Sequence, residues 1–363
     1  LSPDIHRPFL ILILTAFAAA VGIPFLWRAV QPRWRKFPAL IACWLVALYP
    51  DVILSGASQM REAFLISLIC IGFWAVNQWK TSRWRSISVF AASMLGLLLF
   101  SWRTALAALA ALGVWFMLDN VFSKWNKKWQ KGAWIILGAG VVGAVIISFA
   151  WFKLTANWDS YLTFTGSGIV QAIVRQLGVW SRIPFVTVYG LTQPVLPAAF
   201  LDYTKPVWMA INIFRGLGWY ALAPFLIYGL IAVWKIQPKE NQRVMLWVAI
   251  FLVVWILLAS LRAGGDQWDN PRYRSIFLPW LGLLAGIAID QARKRKDPWL
   301  VRWLIVEGIF LVIFTNWYMV RYIHFGIGIN FFVMVGLILF LGAGVLVGGW
   351  WWDHRKSQKI EKS

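Results

Sequence analysis

Val244-Met245-Leu246-Trp247-Val248-Ala249-Ile250-Phe251-Leu252-Val253-Val254-Trp255-Ile256-Leu257-Leu258-Ala259-Ser260-Leu261 is a stretch without a single charge, closed by Arg243 on one side and Arg262 on the other. As a helix it reaches about 27 Å, close to the thickness of a bilayer's hydrocarbon core. Apolar runs of this kind recur along the chain, roughly at 9–27, 37–54, 62–79, 86–101, 104–122, 132–152, 217–234, 244–261, 275–290, 299–318 and 327–350. The pattern predicts an all-α, polytopic integral membrane helix bundle with about eleven transmembrane helices and short interfacial helices on the outer face.

Charge sets the expected orientation. Basic clusters occupy alternate gaps: Arg28 to Lys36, Lys80 to Arg85, Lys124 to Lys131, Lys235 to Arg243, Arg293 to Lys296, and Arg355 to Lys362. The positive-inside rule puts that side in the cytoplasm and the first span running inward. Eleven crossings then leave a basic cytoplasmic tail at 353–363. The expected layout is a first membrane bundle of six spans (1–152), an outer-face interfacial segment (153–216) and a second bundle of five spans (217–352).

Most of the net charge of +21 is thus topology. The short clusters beside apolar runs argue against nucleic acid as a partner. Hydrophobic residues make up 60% of the 363 positions, too many for a soluble globule of this size to cover. Many of the 27 tryptophans fall near span ends, as in interfacial belts: Trp27, Trp79, Trp84, Trp125, Trp129, Trp151, Trp158, Trp268 and Trp350 to Trp352. Cys43 and Cys70 lie inside neighbouring spans, and His6, His324 and His354 are scattered. Neither a disulfide framework, a metal nor a cofactor is indicated. The chain begins at Leu1 rather than Met, as a piece of a longer protein would, and no signal-peptide pattern is recognisable before the first run.

The outer segment carries apolar runs at 168–180 and 186–200 interrupted by Pro184, Pro194, Pro197 and Pro206. That composition suits short interfacial helices and re-entrant turns over a cavity open to lipid, and equally a passive surface loop.

Twelve basic residues oppose the positive-inside rule: Arg7, Arg61, Arg103, Lys153, Arg175, Arg182, Lys205, Arg215, Arg262, Arg272, Arg274 and Arg321. Ten of them are arginine, which forks onto phosphate oxygens and tolerates partial burial. An anionic ligand on the outer face is the natural inference, with about half of the group reaching outer headgroup phosphates instead.

Three places concentrate the signal. At Tyr49-Pro50-Asp51 to Arg61-Glu62, a short Ser-Gly-Ala-Ser turn joins two spans. Glu62 there has an ordinary role at a helix start, whereas Asp51 has none, so Asp51 is the stronger general-base candidate. At Ser101-Trp102-Arg103-Thr104 a tight hairpin traps Arg103 near Arg61, and two converging arginines need an anion or an acid between them. At 262–274, Gly264 and Gly265 permit tight turns, Asp269 or Asn270 is placed to cap, and Pro271 fits the first turn of the ninth span. Arg272 and Arg274 flank Tyr273 where the helix dipole disfavours cations, so a ligand explains them better. Asp266 and Asp269 supply further acids, and Glu307 with Arg302 is the one clear pair inside a span.

The order Tyr-Pro-Asp, a Ser-rich turn, Arg-Glu and a long apolar helix (49–76), then Trp-Arg (102–103), resembles bacterial oligosaccharide repeat-unit or O-antigen polymerases. Asn-Pro-Arg-Tyr-Arg at 270–274 is similar to a motif in those proteins and in C-type membrane glycosyltransferases. These short motifs cover about a quarter of the chain. The C-type enzymes carry a catalytic acid in the first outer loop, whereas the first loop here is basic, which favours the polymerase resemblance.

That resemblance implies glycosyl transfer or glycan polymerisation on the outer face of the bacterial inner membrane, from a polyprenyl (di)phosphate-linked sugar. Arg61, Arg103, Arg182, Arg215, Arg272, Tyr273 and Arg274 would hold the lipid-linked glycan. Asp51 would act as base, with Glu62, Asp266 and Asp269 as rivals. Two other classes fit the same composition: a flippase of lipid-linked glycans, which needs ionisable groups along a bilayer path, and a non-catalytic subunit working with other envelope-assembly proteins.

Overall fold

The computed structural model describes residues 8–121, 132, 135, 143, 171–172, 175–176, 178, 182–200, 205–263 and 268–361. Among them there is no strand. The sixth expected run, 132–152, and the outer stretch 153–170 lie almost wholly outside the described residues. The helices form two compact units, and the units do not follow chain order: Leu1–Gln193 joins Val233–Gly286, and Pro194–Ala232 joins Ile287–Ser363.

The first unit opens with α1 (Pro8–Trp34), α2 (Lys36–Leu48), α3 (Pro50–Gly56), α4 (Glu62–Asn77), α5 (Arg83–Phe100) and α6 (Trp102–Phe116), which runs on into a π-helical turn at Met117–Val121. After Arg182–Leu191 (α7) the chain leaves for the second unit through Leu196–Phe200 (α8) and Pro206–Ala232 (α9). It returns as Lys239–Ala263 (α10), Asp269–Ser275 (α11) and Leu278–Arg295 (α12), then closes with Trp299–Ile323 (α13) and Phe331–Glu361 (α14).

Among the described residues seven helices are long and apolar enough to cross a membrane, or nine if two bent pairs each count as one span. The second expected run is one such pair. Tyr49 is extended and Pro50 sits at the head of α3, so the chain bends by 53° between α2 and α3. The ninth is the other: α11 and α12 meet at 70°. Pro271 therefore lies in the first turn of a separate seven-residue helix, not of the span itself. The third run forms α4, apolar but only 16 residues long. The seventh begins at Pro206, well before the expected 217, and takes Arg215 into a helix where it is fully buried.

Small residues bring the helices of the first unit together. A side chain at Gly22 of α1 would meet Ser67 Oγ of α4 at 2.6 Å, and the Gly22 amide donates to that hydroxyl at 2.9 Å. Ser67 donates on to the carbonyl of Ala18. On α12, Gly282 and Gly286 lie against the backbone of Ala42 and Pro38 in α2, where a Cβ would approach within 3.1 and 2.7 Å. Apolar helices in lipid gain little from hydrophobicity against each other, so such close approach and hydroxyl bonding hold them. Phe73, Trp115, Trp280, Phe251 and Phe277 interlock through edge-to-face and tilted ring pairs, with neighbouring ring centroids 4.7 to 6.1 Å apart.

In the second unit Tyr228 and Ala232 of α9 pack on Ala288 and Ala292 of α12, with Trp299, Leu300 and Trp303 against them. Tyr228 donates to Asp297 Oδ2 at 2.9 Å. Helices α13 and α14 form a hairpin whose turn is bridged by Asn316, its amide pairing with both backbone groups of Ile327. The expected pairing of Arg302 with Glu307 does not form. Arg302 instead makes a two-pronged bond to Asp353 of α14, at 2.6 and 2.8 Å, because the hairpin brings Asp353 level with it.

The outward surfaces are apolar. Phe9, Ile13 and Phe17 on α1, Leu99 on α5, and Leu339, Phe340 and Val347 on α14 are all exposed. Of the tryptophans expected at interfaces, Trp84 and Trp350 to Trp352 are exposed; Trp115 and Trp280, which were not among them, are core residues. Helices with exposed apolar faces and few polar groups suit contact with lipid.

Candidate functional site

The expected site residues converge at one end of the first unit, around Glu62. Arg61 and Glu62 start α4, directly after the turn that follows α3. Glu62 is almost fully buried, and Arg272 of α11 places Nε 3.2 Å from its Oε1. Arg61 Nε stands 3.8 Å from the same oxygen and donates to the carbonyl of Phe100, at the end of α5, at 3.3 Å. The sequence reading set an anion or an acid between Arg61 and Arg103; the acid found between two arginines is Glu62, and its second partner is Arg272. Its role is the neutralisation of paired guanidinium groups, a stronger demand than a helix-end charge.

Arg272 also pairs with Asp269 one turn earlier, at 3.0 Å, and Tyr273 donates to Asp269 Oδ2 at 3.4 Å. The guanidinium groups of Arg262 and Arg272 lie 4.8 and 5.3 Å from the centroid of the Tyr273 ring. Such a contact is attractive because the ring face is electron-rich. Trp255 donates to the Tyr273 carbonyl at 3.0 Å and so fixes α11 to α10. Asp51 is buried in the first turn of α3, an element packed against α11.

The short helix α11 is further fastened to the end of α7. Asn270 Nδ2 donates to the Gly190 carbonyl at 2.8 Å, and Arg274 Nη2 donates to the Gln193 carbonyl at 2.7 Å. Asn270 therefore does not cap the helix; the N-cap position is Trp268, whose side chain makes no capping bond. Arg274 is fully buried and works as a structural tie at this point, apart from the half-exposed Arg61.

Two of the remaining expected residues are described outside these contacts. Arg103 is exposed, 5.6 Å from the ring of its neighbour Trp102. Arg215 belongs to the second unit. Arg182 opens α7, where only its backbone is described, and Asp266 lies outside the described residues. Among the described residues no group of histidine, cysteine and acidic side chains is placed to hold a metal.

A second polar cluster went unread in the sequence. Asp119, on the π-helical turn after α6, accepts from Arg33 of α1 at 2.8 Å and lies 3.6 Å from Lys80. Arg33 also donates to Asn241 of α10 at 2.8 Å and covers the Trp34 and Trp115 rings. The available signal was one acid within a strongly basic end. This cluster gathers the far ends of α1, α4 and α6 and the start of α10, whereas the Glu62 cluster lies at the start of α4 and the end of α10. The length of α4 separates the two by about 24 Å.

No family model matches this chain, and no curated protein or solved structure matches it either.

Proposed function

We propose that this chain is a membrane-embedded glycosyltransferase or glycan polymerase that acts on the outer face of a bacterial inner membrane, on a sugar carried by a polyprenyl phosphate or diphosphate. The observation that carries the reading is the meeting of Arg61, Arg262 and Arg272 with Glu62, Asp269 and Tyr273 at one end of the first unit. Arg61 is half exposed and uses one guanidinium N–H in its bond to Phe100, so it has donors to offer an anion. The motif resemblance at 49–76, 102–103 and 270–274 points the same way. The basic clusters support a cytoplasmic C-terminal tail.

In the proposed reaction an acceptor hydroxyl attacks the anomeric carbon of the lipid-linked sugar. The bond from that carbon to the phosphate oxygen breaks, and its electron pair leaves with the lipid phosphate. Arg61 and Arg272 stabilise the growing charge on that phosphate, and Asp51 takes the hydroxyl proton. Glu62 keeps the arginines together when no phosphate is bound.

Glycosyl product formed from a polyprenyl diphosphate-linked donor by the purified chain tests this reading. Arg272→Ala is expected to weaken donor binding and slow transfer together, because a phosphate contact exists in the ground state and strengthens as the leaving group gains charge. An Arg272→Ala protein with unchanged binding and turnover removes the proposal.

A further inference from the structure

Glu307 stands on α13, a 25-residue helix long and apolar enough to cross a membrane, about 12 Å along the axis from Trp299. Its Oε1 is closed off from the surface and accepts no hydrogen bond, and no ion pair engages Glu307 among the described residues. Arg302, the basic residue nearest to it in sequence, is committed to Asp353 by two bonds. Trp303, one turn back on the same helix, has its own Nε1 unpaired and does not meet the carboxyl.

The helices packed on α13 explain why nothing reaches it. On α9 the Tyr220 ring stacks with Phe310, 6.1 Å between centroids, and Tyr228 belongs to the cluster that receives Trp303. Glu307 lies between Phe310 and Trp303, so the part of α9 level with it is Ala221 to Ile227, which has no polar side chain. On α14 the register is set by Gly342 against Val306 and by Gly349 against Arg302. The part level with Glu307 is therefore around Leu337 to Leu346, again without a polar side chain. Helix α8, also packed on α13, is Leu-Pro-Ala-Ala-Phe. The titratable and charged groups of these elements lie along the axis to either side: Arg215 and Tyr220 of α9 in one direction, and in the other Tyr228 with Asp297, Arg302 with Asp353, and the charged ends of α12 and α14.

A carboxylate with neither a cation nor a donor is costly in hydrocarbon, whereas the protonated acid is neutral. A proton occupies no cavity, so close packing is no obstacle to it.

We propose that Glu307 is a proton-binding site of the second unit: its carboxyl carries a proton within the membrane, and loss of that proton loosens α13 from α9 and α14. The site is independent of the lipid-linked sugar reading, since it uses none of the residues around Glu62. A proton held by the folded chain and released by the unfolded one makes stability fall as pH rises above the ordinary glutamate range.

Infrared spectra of the purified full chain in nanodiscs at about pH 7 test the protonation directly. The unaltered chain is expected to show a carboxylic-acid C=O stretching band, shifted in heavy water, that Glu307→Gln removes and Glu307→Asp keeps. Between about pH 6 and about pH 9 the melting temperature of the unaltered chain should fall by a few degrees more than that of Glu307→Gln, whose amide is neutral throughout. An acid region identical in the unaltered chain and Glu307→Gln overturns the proposal. So does a Glu307→Gln protein that fails to fold or melts lower at every pH, because a neutral side chain of the same shape then cannot replace the acid and a cationic partner for the carboxylate is required.

Discussion

Glu62 joins two arginines, and under the proposed function the same pairing would oppose the binding of a phosphate. It sits buried between Arg61 and Arg272, and its charge competes with any anion for the same guanidinium groups. Glu62→Gln keeps the shape but removes the charge, so the two arginines repel and the fold is expected to lose about 1–3 kcal/mol. The same change should tighten binding of a lipid phosphate several-fold, which thermal unfolding and ligand titration of one preparation would reveal together. Weaker binding would mean that Glu62 positions the arginines more than it competes with the ligand. Asp51 belongs to a different case, because it is buried on α3, an element packed against α11. Asp51→Asn is expected to abolish turnover while lipid-donor binding changes little, since only the proton acceptor is lost. Retained activity would transfer the base role to Asp269 or Asp266.

At the level of helices, contact depends on where side chains are absent. Gly22→Ala would place a methyl group 2.6 Å from Ser67 Oγ and 2.7 Å from the Ser67 backbone. Gly286→Ala would drive one into the Pro38 carbonyl at 2.7 Å. Neither partner is the free end of a flexible chain, so each change is expected to cost about 1–3 kcal/mol through forced separation of the helices. Gly344→Ala on α14 is the matched control: nothing lies within 4 Å of its added carbon, and a helical alanine is preferred over glycine. Melting temperatures in detergent should therefore fall for the first two and hold or rise for the third. A similar fall in all three would show that backbone flexibility, not close approach, makes these glycines necessary. The α13–α14 hairpin follows another rule, fastened at one end by Arg302 with Asp353 and at the other by Asn316 with Ile327.

For the whole chain, the two polar clusters of the first unit carry a topological prediction. Arg33, Lys80, Asp119 and Asn241 meet at one end of the helices, and Arg61, Glu62, Arg262 and Arg272 meet at the other. With Cys43 and Cys70, both buried and free, first replaced by alanine, single cysteines can report sidedness in intact cells. Lys239→Cys, Arg295→Cys and Lys127→Cys are expected to resist an impermeant thiol reagent, whereas Arg103→Cys and Trp268→Cys should react. Reaction at two of the three inner positions would reverse the orientation and remove the outer-face site with it.

Hydrophobic periodicity and charge carried the helical class, the many spans and the alternation of basic ends, because both act locally and are written in composition. Tyr49-Pro50 and Asn270-Pro271 were readable as special points, since proline restricts its neighbours wherever it stands. Their geometric outcome was not readable: a 53° bend after Tyr49, and a separate short helix that turns 70° into the next. Partner choice was equally hidden. Arg302 has a glutamate five residues away and pairs instead with Asp353, and Asn270 sits at a helix start yet bonds across to Gly190. Asp119 gave no local sign of gathering Arg33 and Lys80, and Gln193 none of receiving Arg274 at its carbonyl. Apolar runs and basic clusters are determined by the sequence itself, since solvent preference is a property of each residue. Which charges meet, which acid remains unpaired and which glycines are indispensable were decided by the tertiary structure, because those depend on segments far apart in the chain arriving within a few ångströms.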